Sequence, residues 1–182
     1  YPPDPRDEKL YEAVPVPVPK TADEKFYKAL PAFAQKSEGR PRWERRFATP
    51  EMYQKVVRDY YRLITGMDRE IGRILDTLRE LGFSENTIVI FSSDNGYFLG
   101  ERGMADKWLM YEESIRVPLI VLDPRLPERQ RGQSPSPMAL NIDLAPTFLE
   151  LAGQPVPAAM QGKSWRPLLE GKPAEWRKGF FY

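Results

Sequence analysis

The segment from Thr49 to Gly82 constrains the fold of this chain more than any other. Its apolar side chains recur every three or four residues, which is the period of an α-helix with one buried face. Thr49 can cap the first turn, Pro50 needs no N–H partner there, and Glu51 places an acid near the positive helix end. The pattern predicts one amphipathic helix roughly 50 Å long, ended by Gly82, with this apolar face: Val56, Tyr60, Leu63, Met67, Ile71, Ile74, Leu78 and Leu81.

Two apolar, β-branched runs follow the helix, at residues 87–91 and 117–122. Continuous runs of this kind indicate strands that are buried on both faces. A helix followed by buried strands predicts an α/β domain with a mostly parallel sheet flanked by helices. The intervening segment of about 25 residues is long enough to suggest a functional loop. Residues 141–151 predict another short helix, ended by Gly153.

The N-terminal region has a different character. Its prolines, with the Val/Pro alternation at residues 14–19, favour extended, polyproline-like backbone. Thr21 begins a capping sequence that predicts a short helix over residues 22–30. We therefore divide the chain into an arm at 1–48 and an α/β portion at 49–182. The aromatic end, Phe180-Phe181-Tyr182, resembles an interrupted strand, and we expect a fragment truncated at both ends.

Composition excludes several classes of function. The 182 residues carry 27 Lys and Arg against 26 Asp and Glu, so nothing favours nucleic acid or an anionic membrane as a partner. No run approaches the ~20 apolar residues of a membrane span. The absence of Cys and His removes disulfides, thiolate ligands and imidazole catalysis. Chemistry within this chain must therefore use carboxylates, amides, Lys, Arg, Tyr or Ser.

A candidate site follows the first predicted strand, where open α/β sheets place their ligands. Asp94 and Asn95 offer the carboxylate and amide oxygens that a hard cation such as Ca²⁺ or Mg²⁺ binds, and Gly96 lets the backbone turn away. Asp, Asn and Gly also dominate ordinary turns, so the same residues are typical of a turn without metal. Two ligands are too few for Ca²⁺, which takes about six to eight oxygens.

Two cations and two acids lie further along the same loop. Lys107 could hold an anionic substrate oxygen, although a solvated lysine fits its sequence context as well. Arg102 could grip a sulfate, phosphate or carboxylate with two N–H groups, or could simply be a surface arginine. Glu112 and Glu113 could act as acids or bases, or could lead into the second strand.

The longest motif of the chain is FSSDNGYFLGERG at 91–103, followed by ADKW at 105–108 and YEESIRVPLIV at 111–121. Together these motifs resemble the type I sulfatases of the alkaline phosphatase superfamily. Residues 65–74 resemble the family's long helix before its metal-binding strand. Residues 141–153 and 162–169 resemble its D-x-x-P-T…L-A-G segment and the turn after it. The resemblance implies the C-terminal part of an alkaline-phosphatase-like α/β fold and hydrolysis of sulfate esters, plausibly of carbohydrates.

The resemblance also implies roles for individual residues. Asp94 and Asn95 would be two ligands of an active-site Ca²⁺ or Mg²⁺, and Lys107 would contact the sulfate group. The family's nucleophile is a formylglycine made within a C/S-x-P-x-R motif, which this chain lacks, since Ser134-Pro135-Ser136-Pro137 has the wrong order. We expect the formylglycine, the other acidic ligands and a substrate-contacting His to lie upstream, and the fragment alone to be inactive.

Arg102 departs from the family pattern, because many relatives have G-E-H-G where this chain has Gly100-Glu101-Arg102-Gly103. Arginine cannot shuttle a proton near neutral pH, so Arg102 could at most hold an anion of the substrate. The resemblance implies a sulfated small molecule or carbohydrate as partner and a periplasmic or secreted location. Two alternatives stay open: a phosphonate or phosphate ester hydrolase of the same superfamily, and a non-catalytic binding or structural segment. Unpaired strand edges also predict self-association of the fragment.

Overall fold

Residues 2–181, the part of the chain that a computed structural model describes, form helices and short strands. One two-stranded sheet contains β1 and β4, and a second pairs β2 antiparallel to β3. This mixture confirms the α/β class. The elements are α1 Glu24–Lys28, α2 Ala32–Gln35, α3 Gly39–Arg46, α4 Pro50–Glu80, β1 Val89–Ser92, β2 Phe98–Leu99, β3 Ala105–Asp106, α5 Glu112–Ile115, β4 Leu119–Leu122, α6 Leu144–Leu151 and α7 Arg166–Leu169.

The described residues divide into two compact units. The first takes in the chain up to Ser84 together with Ile90–Ile120 and contains helices α1–α5 and the β2–β3 pair. The second takes in Glu85–Val89 and the chain from Val121 onward, with helices α6 and α7. The predicted division between residues 48 and 49 stays a prediction.

The long helix lies where periodicity predicted it, but its predicted apolar face is not all buried, since four of its side chains are exposed: Leu63, Met67, Ile74 and Leu81. α4 spans 31 residues, and its first turn is capped by Thr49, whose Oγ1 accepts a hydrogen bond from the Met52 N–H at 3.3 Å. Beyond its last turn, Gly82 has φ of +73°, a left-handed conformation that glycine adopts without a Cβ clash. The cap and the terminating glycine lie where the sequence placed them, because both signals are local.

The N-terminal arm runs antiparallel alongside α4. The Gln54 side chain bonds both backbone groups of Val16, accepting from its N–H at 2.9 Å and donating to its oxygen at 2.7 Å. Arg58 donates to the Val14 oxygen, and Arg62 donates to the Leu10 oxygen. Residues 15–19 form neither helix nor strand, as expected for the Val/Pro alternation. The arm contributes to one core cluster: Val16, Phe47, Tyr53, Val57 and Ala105.

Part of the arm is more helical than predicted. The predicted helix over 22–30 is shorter, and its cap is Asp23, whose Oδ1 accepts from the Lys25 N–H at 2.9 Å, instead of Thr21. The sequence analysis missed α2 and α3, because Gly39 and Pro41 look like helix breakers. Pro41 lies in the first turn of α3, where a missing N–H costs no helical hydrogen bond.

Strand burial is where the sequence prediction was wrong. β1 and β4 each begin two residues later than predicted, and in β4 the start follows Pro118, which has no N–H to donate. β4 is not buried on both faces, since Ile120 is 62% exposed and Leu122 is 51% exposed. An apolar run shows that a strand can be buried, but not which residues cover it. Here the described residues leave most of β4 exposed.

Two further expectations concern the chain end and membranes. Phe180 and Phe181 do not form a strand, and Phe181 is fully exposed, so nothing in the described part of the chain pairs with it. Tyr182 lies outside the described residues, as does Tyr1. Within residues 2–181, no helix is both long and apolar enough to cross a bilayer.

The second unit is organised around Asp143. The predicted helix at 141–151 is confirmed as a 3₁₀ turn, Asn141–Asp143, that continues into α6. The Asp143 carboxylate is fully buried and accepts the Leu140 N–H at 2.9 Å and the Lys163 N–H at 2.7 Å. Arg177 adds two charged hydrogen bonds, at 2.5 and 2.7 Å. One side chain therefore connects three separate segments of the chain.

Candidate functional site

The backbone after β1 packs closely against a later segment. The Gly96 N–H donates to the Ser114 oxygen at 2.7 Å. A Cβ at Gly96 would overlap the backbone oxygen of Glu113 and would lie 3.0 Å from that of Arg116. Gly96 has no left-handed φ, so our expectation that it provides a sharp turn was wrong. The glycine is needed because two stretches of backbone meet there without room for a side chain.

Asn95 and Lys107 lie in contact. The Lys107 Nζ donates to the Asn95 Oδ1 at 2.6 Å, while the Asn95 Nδ2 donates to the Gly96 oxygen at 2.7 Å. The Ser93 hydroxyl donates to the Asn95 backbone oxygen at 2.9 Å. Asp94 and Lys107 are exposed. The structure thus places an amide oxygen in contact with a lysine cation, with the exposed Asp94 directly before Asn95 in the chain.

A short hairpin explains why residues so far apart in sequence meet. Phe98 pairs with Asp106 and Leu99 with Ala105, so the residues before β2 and after β3 lie at the same end of the pair. Glu101 braces the connecting loop, because its Oε2 accepts the Leu99 N–H at 2.6 Å. Burial raises the pKa of the Glu101 carboxyl. The spacing from Asp94 to Lys107 therefore reflects the length of one hairpin.

Arg102 lies in the loop of this hairpin with a left-handed φ of 55°. Its N–H donates to the Thr21 oxygen at 2.8 Å, which ties the loop to the arm. Its guanidinium carbon lies 4.7 Å from the centre of the Tyr111 ring, and its Nε is 4.0 Å from a carboxylate oxygen of Glu113. The guanidinium already has aromatic and acidic neighbours, and its role as an anion contact stays a prediction.

Asp106 is a residue of the site that the sequence analysis missed. It precedes Lys107, is buried, and has a left-handed φ of 69°. Its carboxylate bonds the Arg42 Nη1 at 2.5 Å and the Arg46 Nη1 at 2.6 Å, and both arginines belong to α3. Its neighbour Tyr97 accepts a further hydrogen bond from Arg46 at 2.9 Å. No local pattern could reveal the ion pairs, because Arg42 and Arg46 precede Asp106 by 64 and 60 residues.

Burial and hydrogen bonding act on Asp106 in opposite directions. Burial alone would raise the pKa of its carboxyl, but hydrogen bonds from Tyr97, Arg46 and Arg42 outweigh that effect and lower it. Burial, with the Asp106 carboxylate nearby, raises the pKa of Tyr97 to about 12. The carboxylate therefore stays charged and the phenol stays protonated at neutral pH.

The donor chemistry of Asp94 and Asn95 fits a hard cation. The Asn95 oxygen has two lone pairs and Lys107 uses one, which leaves the other for a metal. These residues provide two of the six or more oxygens that Ca²⁺ takes. No group of three acidic side chains that could hold a metal occurs within residues 2–181. Asp94 and Asn95 alone would therefore make up only part of a metal site.

Comparison with known proteins bears on the family of this chain. Residues 100–182 match the family model described as N-sulphoglucosamine sulphohydrolase, C-terminal. An N-acetylglucosamine-6-O-sulfatase of Bacteroides thetaiotaomicron is 44% identical over 133 residues, which is 71% of this chain and 24% of that protein. The chain belongs to the sulfatases of the alkaline phosphatase superfamily. It corresponds to the C-terminal region of these sulfatases.

Solved structures extend the similarity to nearly the whole chain. A protein in complex with its substrate D-glucosamine-2-N,6-O-disulfate matches with a TM-score of 0.77 and 30% identity, over 97% of this chain and 47% of that one. The phosphonate monoester hydrolase of Silicibacter pomeroyi matches with a TM-score of 0.75 and 31% identity, over 94% of this chain and 35% of its own. This sulfatase chain therefore spans about a quarter of the curated relative and less than half of the solved ones.

Proposed function

We propose that the protein containing this chain hydrolyses sulfate esters of carbohydrates, and that this chain contributes its sulfate-binding lysine and part of its metal site. The contact between the Lys107 Nζ and the Asn95 Oδ1, beside Asp94, carries the proposal. A sulfated sugar as substrate is supported by the N-acetylglucosamine-6-O-sulfatase relative and by the related structure bound to a glucosamine disulfate.

The residues of this chain can act on a sulfate group by charge and position. A sulfate ester keeps negative charge on its oxygens throughout the reaction, so a cation already in place stabilises the transition state without reorganising. Lys107 is exposed for such a contact, and its hydrogen bond to Asn95 orients the ammonium group. Asp94 and Asn95 would hold Ca²⁺ or Mg²⁺, which when bound supplies further positive charge next to the sulfate. The nucleophile, a formylglycine by family resemblance, lies outside this chain.

Three further proposals concern Arg102, the location of the protein and self-association of this chain. Arg102 would contact an anionic substrate only after its guanidinium moves from Tyr111 and Glu113. A periplasmic or secreted location follows from the family alone, and cell fractionation would test it. Self-association of this chain through the exposed side chains of β4 would appear in light scattering as a mass that rises with concentration.

The experiment that tests the main proposal uses the whole protein, with its nucleophile, and N-acetylglucosamine 6-sulfate as substrate. We expect Lys107→Ala to lower kcat/KM by about 100-fold or more, as loss of one preorganised charge-stabilising group does. Lys55→Ala is the matched control, because Lys55 lies on α4 with its side chain 75% exposed and paired to Asp59. Equal activity of the two variants would contradict the role of Lys107.

A phosphonate or phosphate ester hydrolase is the second candidate. It is favoured by the similarity to the phosphonate monoester hydrolase and by a relative from Trinickia caryophylli, a multifunctional alkaline phosphatase superfamily protein, which is 39% identical over 124 residues. The same assay with a phosphonate monoester separates the candidates. Faster hydrolysis of the phosphonate would favour the second, and hydrolysis of neither substrate would favour a non-catalytic segment.

A further inference from the structure

The buried Asp106 cluster lies directly beside the proposed sulfate-binding lysine. We propose that Asp106, held by Arg42 and Arg46 of α3, is a positioning residue that fixes Lys107 against Asn95. The inference rests on the proposed function for what Lys107 does to a substrate. Whether Asp106 fixes the position of Lys107 can be tested separately, with crystal structures of Asp106 variants.

The backbone conformation of Asp106 determines the direction in which the Lys107 side chain leaves the backbone. Its left-handed φ of 69° is unfavourable for a residue with a Cβ, although Asp tolerates it better than most. Such a conformation persists when surrounding contacts hold it. At Asp106 those contacts come from two arginines, one on each carboxylate oxygen, at 2.5 and 2.6 Å. The ion cluster therefore stabilises a turn that would otherwise relax and redirect Lys107.

The same helix holds the residues on both sides of Lys107. Arg42 bonds Asp106 and also lies 5.2 Å from the centre of the Trp108 ring. The Lys107 backbone oxygen accepts a hydrogen bond from the Ser114 hydroxyl at 2.7 Å. With its backbone fixed at these points, the exposed side chain is free to extend to Asn95. An ammonium group held in advance stabilises developing charge better than one that must be ordered during the reaction.

A double-mutant cycle in the whole protein tests the inference. Asp106→Asn keeps the shape and the tolerance for left-handed backbone but removes the charge, and Asp106→Gly keeps the backbone freedom and removes the carboxylate. We expect each to lower kcat for a sulfated glucosamine by about 10- to 100-fold. In a Lys107→Ala background we expect neither to lower it further, because the effect passes through Lys107.

Asp76→Asn is the matched control, since this α4 carboxylate also pairs with an arginine but is 62% exposed, and we expect its kcat to be unchanged. If the Asp106 variants fail to fold, Arg46→Lys is the milder change. It leaves Arg42 on the carboxylate, and we expect a loss of about 3- to 10-fold that also vanishes in the Lys107→Ala background.

Crystal structures of the Asp106 variants give a readout that does not depend on the substrate. We expect the Lys107 Nζ to leave the Asn95 Oδ1, and a contact that stays near 2.6 Å would overturn the inference. Equal losses of kcat with and without Lys107 would also overturn it, because they indicate a merely structural role. If no sulfate ester is hydrolysed, the proposed function fails, and the coordinates still decide whether Asp106 positions Lys107.

Discussion

Two buried aspartates, one in each unit, bind arginine in different ways. The Asp143 carboxylate receives two backbone N–H groups as well as Arg177, whose side chain is 12% exposed. The Asp106 carboxylate receives side chains, Arg42 and Arg46, which are 33% and 36% exposed. Asp143 has a right-handed backbone with φ of −83°, whereas Asp106 has φ of +69°.

The difference separates a structural aspartate from one that serves a neighbour. Asp143 accepts the backbone N–H groups of two separate segments, so its carboxylate holds those segments together. Asp106 pairs with arginine side chains that are about one-third exposed, and its unfavourable backbone conformation redirects the next residue. Burial and an arginine partner are therefore not enough to assign a role, and the identity of the other donors decides it.

Replacing each aspartate by alanine tests whether the two carboxylates differ in their structural role. We expect Asp143→Ala to lower the free energy of unfolding by about 3–5 kcal/mol, because it leaves the largely buried Arg177 without its carboxylate and, within the described residues, with a single hydrogen bond to the Met138 oxygen, at 3.2 Å. We expect a loss of about 1–3 kcal/mol for Asp106→Ala, whose arginines turn to solvent. Urea unfolding followed by circular dichroism measures both. Equal losses would mean that the two clusters have the same structural role.

Thr147 sharpens the comparison, because it extends the network around Asp143. Its Oγ1 donates to the Asp143 backbone oxygen at 2.6 Å and accepts the backbone N–H of the buried Trp165 at 2.9 Å. We expect Thr147→Val to cost about 1–3 kcal/mol, since the Trp165 N–H loses its acceptor. Thr77→Val is the control, because Thr77 is exposed on α4 and bonds only an i−4 carbonyl within the described residues. A cost no greater than that of the control would show that Trp165 finds another acceptor.

The pH dependence of stability gives the smallest expected effect. Burial would raise the pKa of Asp143, but hydrogen bonds from Arg177, Lys163 and Leu140 lower it below the ordinary value of 3.8. A lowered pKa in the folded state stabilises the protein above the unfolded pKa, and this contribution is lost as the pH falls through the folded value. We expect Asp143→Asn to lose less stability than the parent chain as the pH falls below the ordinary carboxyl pKa of 3.8, in thermal unfolding. An unchanged pH profile would contradict the lowered pKa.

The sequence predicted those features whose signals are local. The bounds of α4 were predicted correctly because their signals lie in the helix or directly beside it. These signals are the cap at Thr49, the terminating Gly82 and the apolar period between them. Asp94 and Lys107 were found through short motifs. In the structure, the hairpin of β2 and β3 brings the segments that contain these residues into contact. The exposure of β4 depends on which residues cover it, and an apolar run such as residues 119–122 carries no record of that.

Asp106 shows the limit most clearly. Its sequence neighbours, Ala105 and Lys107, are compatible with an ordinary surface aspartate. Burial of its carboxylate depends on α3, which was not predicted, and on the turn that brings Arg42 and Arg46 against β3. Charge pairing between distant segments leaves no periodic pattern, and it becomes visible only in coordinates.

The antiparallel course of the arm along α4 has a consequence for how the chain folds. Among the hydrogen-bonded pairs, the partners are closest in sequence at Pro17 and Tyr53, 36 residues apart, and furthest apart at Asp7 and Arg69, 62 residues apart. Once the first pair has closed its loop, each later pair adds only a few residues to that loop, and the entropy of closure rises slowly with length. We therefore expect the arm to dock stepwise from Pro17 towards Asp7 and to detach in the reverse order.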